Sequence, residues 1–197
     1  MKILHIDSAT TGAQSVSRAT SRAIVDKLVG DNPGASVTYR DLGTEPLAHL
    51  NPVLTGAIRF PEEQKTPDMK AATETERKIL DEFLDADVVV IGAPMYNFTI
   101  SSNLKSWIDR LGIPRVTFRY GPNGPEGLAG GRRIILAISA GGTYPPNTPP
   151  ILFHENLLTA FFGFLGCTDI AVVRAFGVGS AGPEAAIASA REQIAAL

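Results

Sequence analysis

Three short stretches of this 197-residue chain combine side chains and backbone freedom in a way that chemistry could use. The first is Ser8-Ala9-Thr10-Thr11-Gly12-Ala13-Gln14-Ser15-Val16-Ser17-Arg18, rich in hydroxyls and running into a helix-forming segment. A helix N-terminus leaves backbone N–H groups free and its dipole favours negative charge, so this stretch suits a phosphate, with Ser15 and Ser17 as hydroxyl donors. Helix capping by either serine would account for the same residues. No Gly-x-x-x-x-Gly-Lys-Ser/Thr pattern is present, and a monophosphate fits better than a triphosphate. The second stretch, Pro94-Met95-Tyr96-Asn97-Phe98-Thr99-Ile100-Ser101, brings two aromatics, an amide and a thioether to the end of an apolar run. It suits a flat heteroaromatic ligand, with apolar contact on the ring face and polar groups at its edge; the alternative is that Tyr96 and Phe98 simply pack beneath their own loop. The third, Ser139-Ala140-Gly141-Gly142-Thr143, has paired glycines that let a backbone approach a ligand closely, or that make an ordinary tight turn.

Other patterns point away from chemistry. Gly177-Val178-Gly179-Ser180-Ala181-Gly182 has the Gly-x-Gly-x-x-Gly spacing of a dinucleotide site, but no strand follows to carry the acidic residue that such a site needs, so it reads as a plain loop. His5, His49 and His154 lack ligand spacing, and no metal site is expected. The absence of Gly-x-Ser-x-Gly counts against an α/β-hydrolase. Cys167 is the single cysteine, which rules out a disulfide within the chain, and it reads as a small buried hydrophobe. With a net charge of -2 and both signs scattered, neither nucleic acid nor an anionic membrane is the expected partner. Met1 to Asp7 enters structure directly, without a signal-peptide pattern, and no apolar run approaches the ~20 residues of a membrane span; a cytoplasmic protein is expected.

The elements that must carry these stretches alternate strand and helix. Lys2–Asp7, Ser36–Asp41, Val88–Ala93, Arg133–Ser139 and Thr168–Val173 read as strands, the second as a polar edge strand. Ser17–Val29, Asp68–Leu84, Ser102–Leu111, Ile151–Leu165 and Pro183–Ala196 read as helices. Thr66-Pro67 caps the second of these, and Leu104, Trp107, Ile108 and Leu111 form one face of the third. Leu42–Lys65 and Thr117–Gly131 are long connections, a length usually tied to function. Five strands and five helices predict one α/β domain over residues 1–197, a three-layer doubly wound parallel sheet with its ligand at the strands' carboxyl ends. The three stretches follow the first, third and fourth strands and would open onto that same edge.

Ala93-Pro94-Met95-Tyr96-Asn97-Phe98 and Val116-Thr117-Phe118-Arg119-Tyr120-Gly121-Pro122-Asn123-Gly124-Pro125-Glu126-Gly127-Leu128 resemble the FMN-dependent NADH:azoreductase / NADH:quinone oxidoreductase family. The resemblance spans essentially the whole chain. It implies a homodimeric, flavodoxin-like flavoenzyme that takes hydride from NADH and reduces quinones and azo compounds; one open face above the flavin, too small for both ring substrates at once, predicts ping-pong order. Carried over by motif, Ser8, Ser15, Val16 and Ser17 would bind the FMN phosphate, Met95, Tyr96, Asn97 and Phe98 would line the ring, and Ser139, Ala140, Gly141 and Gly142 would meet its far edge. Asn97 and the backbone near Gly141 are candidates for polarising the flavin edge; Tyr120 and Phe164 are candidates for holding the substrate ring, with Phe161 reading rather as core. Ala9, Val16 and Ala140 depart from the commonest family pattern, and Val16 and Ala140 are expected to offer only backbone N–H groups. One rival reading is a non-enzymatic electron carrier of the flavodoxin type, though such carriers are usually strongly acidic, which this chain is not; the other is a flavin-free binding or regulatory module on the same fold.

Overall fold

The computed structural model describes residues 1–197. Its sheet contains β1 (Lys2–Asp7), β2 (Ser36–Asp41), β3 (Val88–Pro94), β6 (Arg133–Ser139) and β7 (Ile170–Ala175), all parallel, in the order β2-β1-β3-β6-β7. Parallel strands buried on both faces read as continuous apolar runs, which is why Val-Val-Val-Ile-Gly-Ala forms the centre. Because side chains alternate across a strand, the two faces divide cleanly. Ile3, Val88, Val90, Ile135 and Ala137 pack under α1 (Val16–Asp31) and α7 (Pro183–Ala195). Leu4, Ile6, Val89, Ile91, Ile134 and Leu136 pack under α3 (Pro67–Asp85), α4 (Ser102–Ile108) and α6 (Glu155–Phe164) with Phe83, Trp107 and Phe162. The three-layer, doubly wound sheet read from the sequence is the one observed. Cys167 is buried, and its thiol, pushed up by burial, donates to the Ala129 carbonyl at 3.1 Å.

Helix starts follow local chemistry. Thr66 caps α3 by accepting the Met69 N–H at 3.4 Å, with Pro67 at the first helical position. A buried ion pair of Arg110 with Glu76 on α3, at 2.7 Å, ties the end of α4 to α3, and Arg110 also reaches the Ala48 carbonyl.

Three expectations need correction. The connection 42–65 is not open chain: Asn51 accepts the Leu54 N–H at 2.9 Å and starts α2 (Pro52–Arg59). The connection 117–131 holds an antiparallel hairpin, β4 (Phe118–Gly121) with β5 (Gly124–Gly127). Its root is fixed by the fully buried Thr117, whose hydroxyl accepts the Ile113 N–H and bonds the Leu111 carbonyl. The helix expected over 151–165 is broken at His154 into α5 (Pro149–Phe153) and α6, because that ring is drawn wholly into the core below the end of β3. No helix is long and apolar enough to cross a membrane.

Candidate functional site

The carboxyl ends of β1, β3, β6 and β7 border one groove of 310 Å³. Thr11, Gln14, Ser15 and Val16 line it from the first loop; Pro94, Met95 and Tyr96 from the second; Ser139, Ala140 and Gly141 from the third. The three stretches singled out by residue type therefore do converge. The largest depression, 710 Å³, lies against β1, β2 and α3, but its Lys2, Arg77, Asp81 and Asp85 are already joined in ion pairs, and none of these loops reaches it.

At the start of α1, the Ser15 hydroxyl accepts the Arg18 N–H at 3.3 Å and bonds the Ser17 hydroxyl at 3.0 Å. Ser15 is thus a helix cap as well as a groove residue. The Val16 and Ser17 N–H groups donate to no oxygen of the chain, at the positive end of a 16-residue helix. Ser8 lies elsewhere than expected: it is fully buried and its hydroxyl donates to the Gly92 carbonyl at 2.8 Å, so it braces the loop from below. Ser17 stands behind Ser15 and is likewise fully buried.

Beneath this loop lies a polar network that sequence reading did not find, buried at His5, Asp7 and Ser21 and open to solvent at Tyr39. Arg18 on α1 bonds Asp41 and Tyr39 of β2 and the Ala9 carbonyl. Asp7 accepts from Tyr39 at 3.0 Å and from Ser21 at 2.7 Å, and Ser21 meets His5 at 3.0 Å. Burial opposes the charge on Asp41, but bonds from Arg18, the Gly43 N–H and Thr44 outweigh it and hold the carboxyl at about 2. Burial and the Asp7 carboxylate push the Tyr39 phenol up to about 12. The only trace of this network in the sequence is polar residues at core positions of β1 and α1.

The second loop turns on Asn97 and Phe98, both in the left-handed region at φ 47° and φ 70°. Tyr96 and Thr99 close the turn by two backbone bonds of 2.8 and 3.1 Å, a geometry that normally calls for Asn-Gly. The Tyr96 hydroxyl accepts the Thr10 N–H at 3.1 Å and so locks the second loop to the first. Phe98 is 56% exposed at the crown, and Asn97 faces a neighbouring depression across Tyr96 rather than the groove itself. The Thr99 hydroxyl donates to the Phe153 carbonyl at 2.8 Å, just before His154.

In the third loop the Ala140 N–H donates to the Ala175 carbonyl at 3.3 Å, which corrects the expectation that it is free. The N–H groups of Gly141 and Gly142 have no partner within the chain, and a Cβ built on Gly141 would meet only open space. Val178, from the loop after β7, completes the wall. It was missed because its glycine-rich segment was weighed only as a dinucleotide site. Tyr120 and Phe164 do not line the groove. They flank Phe118 at 5.6 and 4.6 Å, with Tyr120 78% exposed. Phe161 packs on Phe162, in keeping with its reading as core.

These features fit a planar flavin monophosphate: two free N–H groups at a helix start for one phosphate, the Met95 thioether and the Tyr96 ring for the flat face, and free glycine N–H groups for its polar edge. The comparisons with known proteins agree. The model of a family described as having a flavodoxin-like fold matches residues 1–197. The FMN-dependent NADH:quinone oxidoreductase of Methylorubrum extorquens is 49% identical over 202 residues, covering 100% of this chain and 98% of that relative. Among solved structures, an azoreductase from Bacillus anthracis superposes with a TM-score of 0.88 at 28% identity, covering 100% and 97% of the two chains. An FMN-dependent NADH-azoreductase from the same species, in complex with FMN, superposes with a TM-score of 0.87 at 26% identity over 98% and 95%.

Proposed function

Because this chain belongs to the flavodoxin-like family of FMN-dependent NADH:quinone oxidoreductases, we propose that it binds FMN in this groove and passes two electrons from NADH to quinones and aromatic azo compounds. The observation that carries the reading is the convergence of free N–H donors at both ends of one groove on either side of Met95 and Tyr96. FMN, when bound, supplies the redox chemistry, accepting and releasing electrons in pairs.

The chain's own residues bind and orient. The Val16 and Ser17 N–H groups and the Ser15 hydroxyl hold the phosphate, while Ser8 and Ser17 brace the loop. Met95 and Tyr96 bear on the ring; Gly141 and Gly142 donate to its polar edge beside Ser139 and Ala140. Asn97 and Phe98 border the open face at the crown of their turn. One open face admits one planar molecule at a time, so NADH and the acceptor alternate, and rates at varied NADH and quinone give parallel double-reciprocal lines. Cleavage of an azo bond takes four electrons and hence two NADH.

The proposed unit is one FMN-binding domain over residues 1–197, acting in the cytoplasm as a homodimer. Tyr120, carried out on the β4–β5 hairpin, would then reach the partner's groove, with Phe118 and Phe164 supporting it. The rival reading, an electron carrier without NADH oxidation, is disfavoured by the named activity of the relatives. The deciding experiment is the visible spectrum of the purified protein, followed by anaerobic NADH titration. A flavin spectrum bleached by one equivalent of NADH is expected. A protein that takes up no FMN, or whose colour NADH leaves unchanged, overturns the reading.

A further inference from the structure

The glycine-rich loop after β7 makes a specific contact with the third loop. The N–H groups of Gly177, Val178 and Gly179 donate to the carbonyls of Gly142, Ala140 and Gly141, at 3.0, 3.1 and 2.9 Å. All the carbonyls of segment 140–142 are thereby drawn to one side. A trans peptide is planar, and its C=O and the following N–H point in opposite directions. Fixing the Ala140, Gly141 and Gly142 carbonyls therefore aims the N–H groups of Gly141, Gly142 and Thr143 the other way, and none of the three has a partner within the chain. Ala140 and Gly141 line the groove, with Val178 beside them.

Both glycines ease so close an approach. A Cβ on Gly179 would lie 3.2 Å from the Gly141 carbonyl oxygen. Gly177 has φ +78°, and its Cβ would lie 3.2 Å from the Thr143 hydroxyl. The pairing is closed by the Ser180 and Ala181 N–H groups, which both return to the Gly177 carbonyl.

We propose that Gly177, Val178 and Gly179 form a positioning segment that sets the hydrogen-bond donors for the polar edge of the flavin ring, and so sets its reduction potential. This rests on the FMN reading of the groove. Two-electron reduction adds negative charge to that polar edge. Donors held in place before binding favour the reduced cofactor over the oxidised one, because no reorganisation is needed when the charge appears.

The test uses apoprotein reconstituted with FMN or with riboflavin. Gly179→Ala should weaken both ligands by the same factor, about tenfold, because they share the ring and differ only in the phosphate. The reduced cofactor should lose about tenfold more than the oxidised one, which for a two-electron couple lowers the potential by about 30 mV. Gly177→Ala should act in the same direction, and Glu184→Gln, exposed in the first turn of α7 and away from the contact, should change neither quantity. A loss confined to FMN, or an unchanged potential in a folded Gly179→Ala protein, overturns the proposal. Should neither glycine variant fold, amide exchange in the native protein decides. The Gly177, Val178 and Gly179 amides are expected to be protected in apoprotein, with Gly141 and Gly142 gaining protection on adding FMN. Free exchange of the first three overturns the proposal. A native protein that binds no FMN would instead count against the reading of the groove.

Discussion

At Asn97 and Phe98 the chain accepts strain where the groove is built. A left-handed backbone costs an L-residue roughly 1–2 kcal/mol, and Phe98 meets that cost with little burial in return. Phe98→Gly should therefore raise the unfolding free energy by about 1 kcal/mol in urea titration. The same variant should turn over quinone more slowly, since the exposed ring beside the open face is lost. At Ser15 and Ser17 the roles of cap and ligand coincide. Replacing both with Ala should cost about 1 kcal/mol of stability and weaken FMN more than riboflavin; equal losses for the two ligands would refute the phosphate assignment. The Arg18–Asp41 contact below has a pH signature. Asp41 is held at about 2 against an ordinary value of 3.8, so its contribution is fully present above pH 4 and is lost as pH falls towards 2. The stability difference between the native protein and Asp41→Asn should be constant from pH 5 to 7 and fall steadily from pH 4 to pH 2, as read from thermal midpoints.

Between elements, the break at His154 carries the clearest consequence. Burial lowers its pKa from 6.5, the nearby Ala93 and Pro94 carbonyls and Glu155 opposing this in part, and neither ring nitrogen makes a hydrogen bond of good geometry. Burial favours the neutral ring in the folded state, while the unfolded chain takes up a proton near pH 6.5. Its contribution is therefore complete above pH 6.5 and is lost as pH falls below it. His154→Leu should remove up to about 1 kcal/mol of the acid-side slope per pH unit, measured as urea midpoints at pH 7.5 and 5.5. The adjacent Glu155 is paired with Arg174 at 2.5 Å, a contact the substitution does not touch. The β4–β5 hairpin is the complementary case. It is anchored at Thr117 and by the Ala129 N–H to the Leu165 carbonyl, while its outer end stands free in solvent.

For the whole molecule, the open groove and the projecting Tyr120 make one expectation. In the proposed dimer the hairpin of each subunit covers the groove of the other. Deleting Pro122–Glu126 should lower turnover at least tenfold while FMN stays bound, because the hairpin is rooted away from the phosphate loop. Sedimentation of the native protein should show a dimer at working concentration. A fully active monomer would sink the arrangement.

Much of this was legible in residue order. Continuous apolar runs, helix caps at Ser15 and Thr66, and the alternation of strand with helix follow from local chemistry, and local chemistry determines which loops fall at the strands' carboxyl ends. The types of those loop residues, hydroxyl, aromatic and glycine, were enough to mark the groove and its class of ligand. Connections rich in proline and glycine were harder to read: α2 and the β4–β5 hairpin depend on packing against distant segments, which no local period records. Hydrogen-bond direction was out of reach altogether. Ser8 turns down to Gly92, Ala140 spends its N–H on Ala175, and Gly177–Gly179 aligns the loop beside it. Each of these pairs lies 35 or more residues apart in sequence, and only the parallel sheet, by laying β1, β3, β6 and β7 in register, brings their backbones within bonding distance.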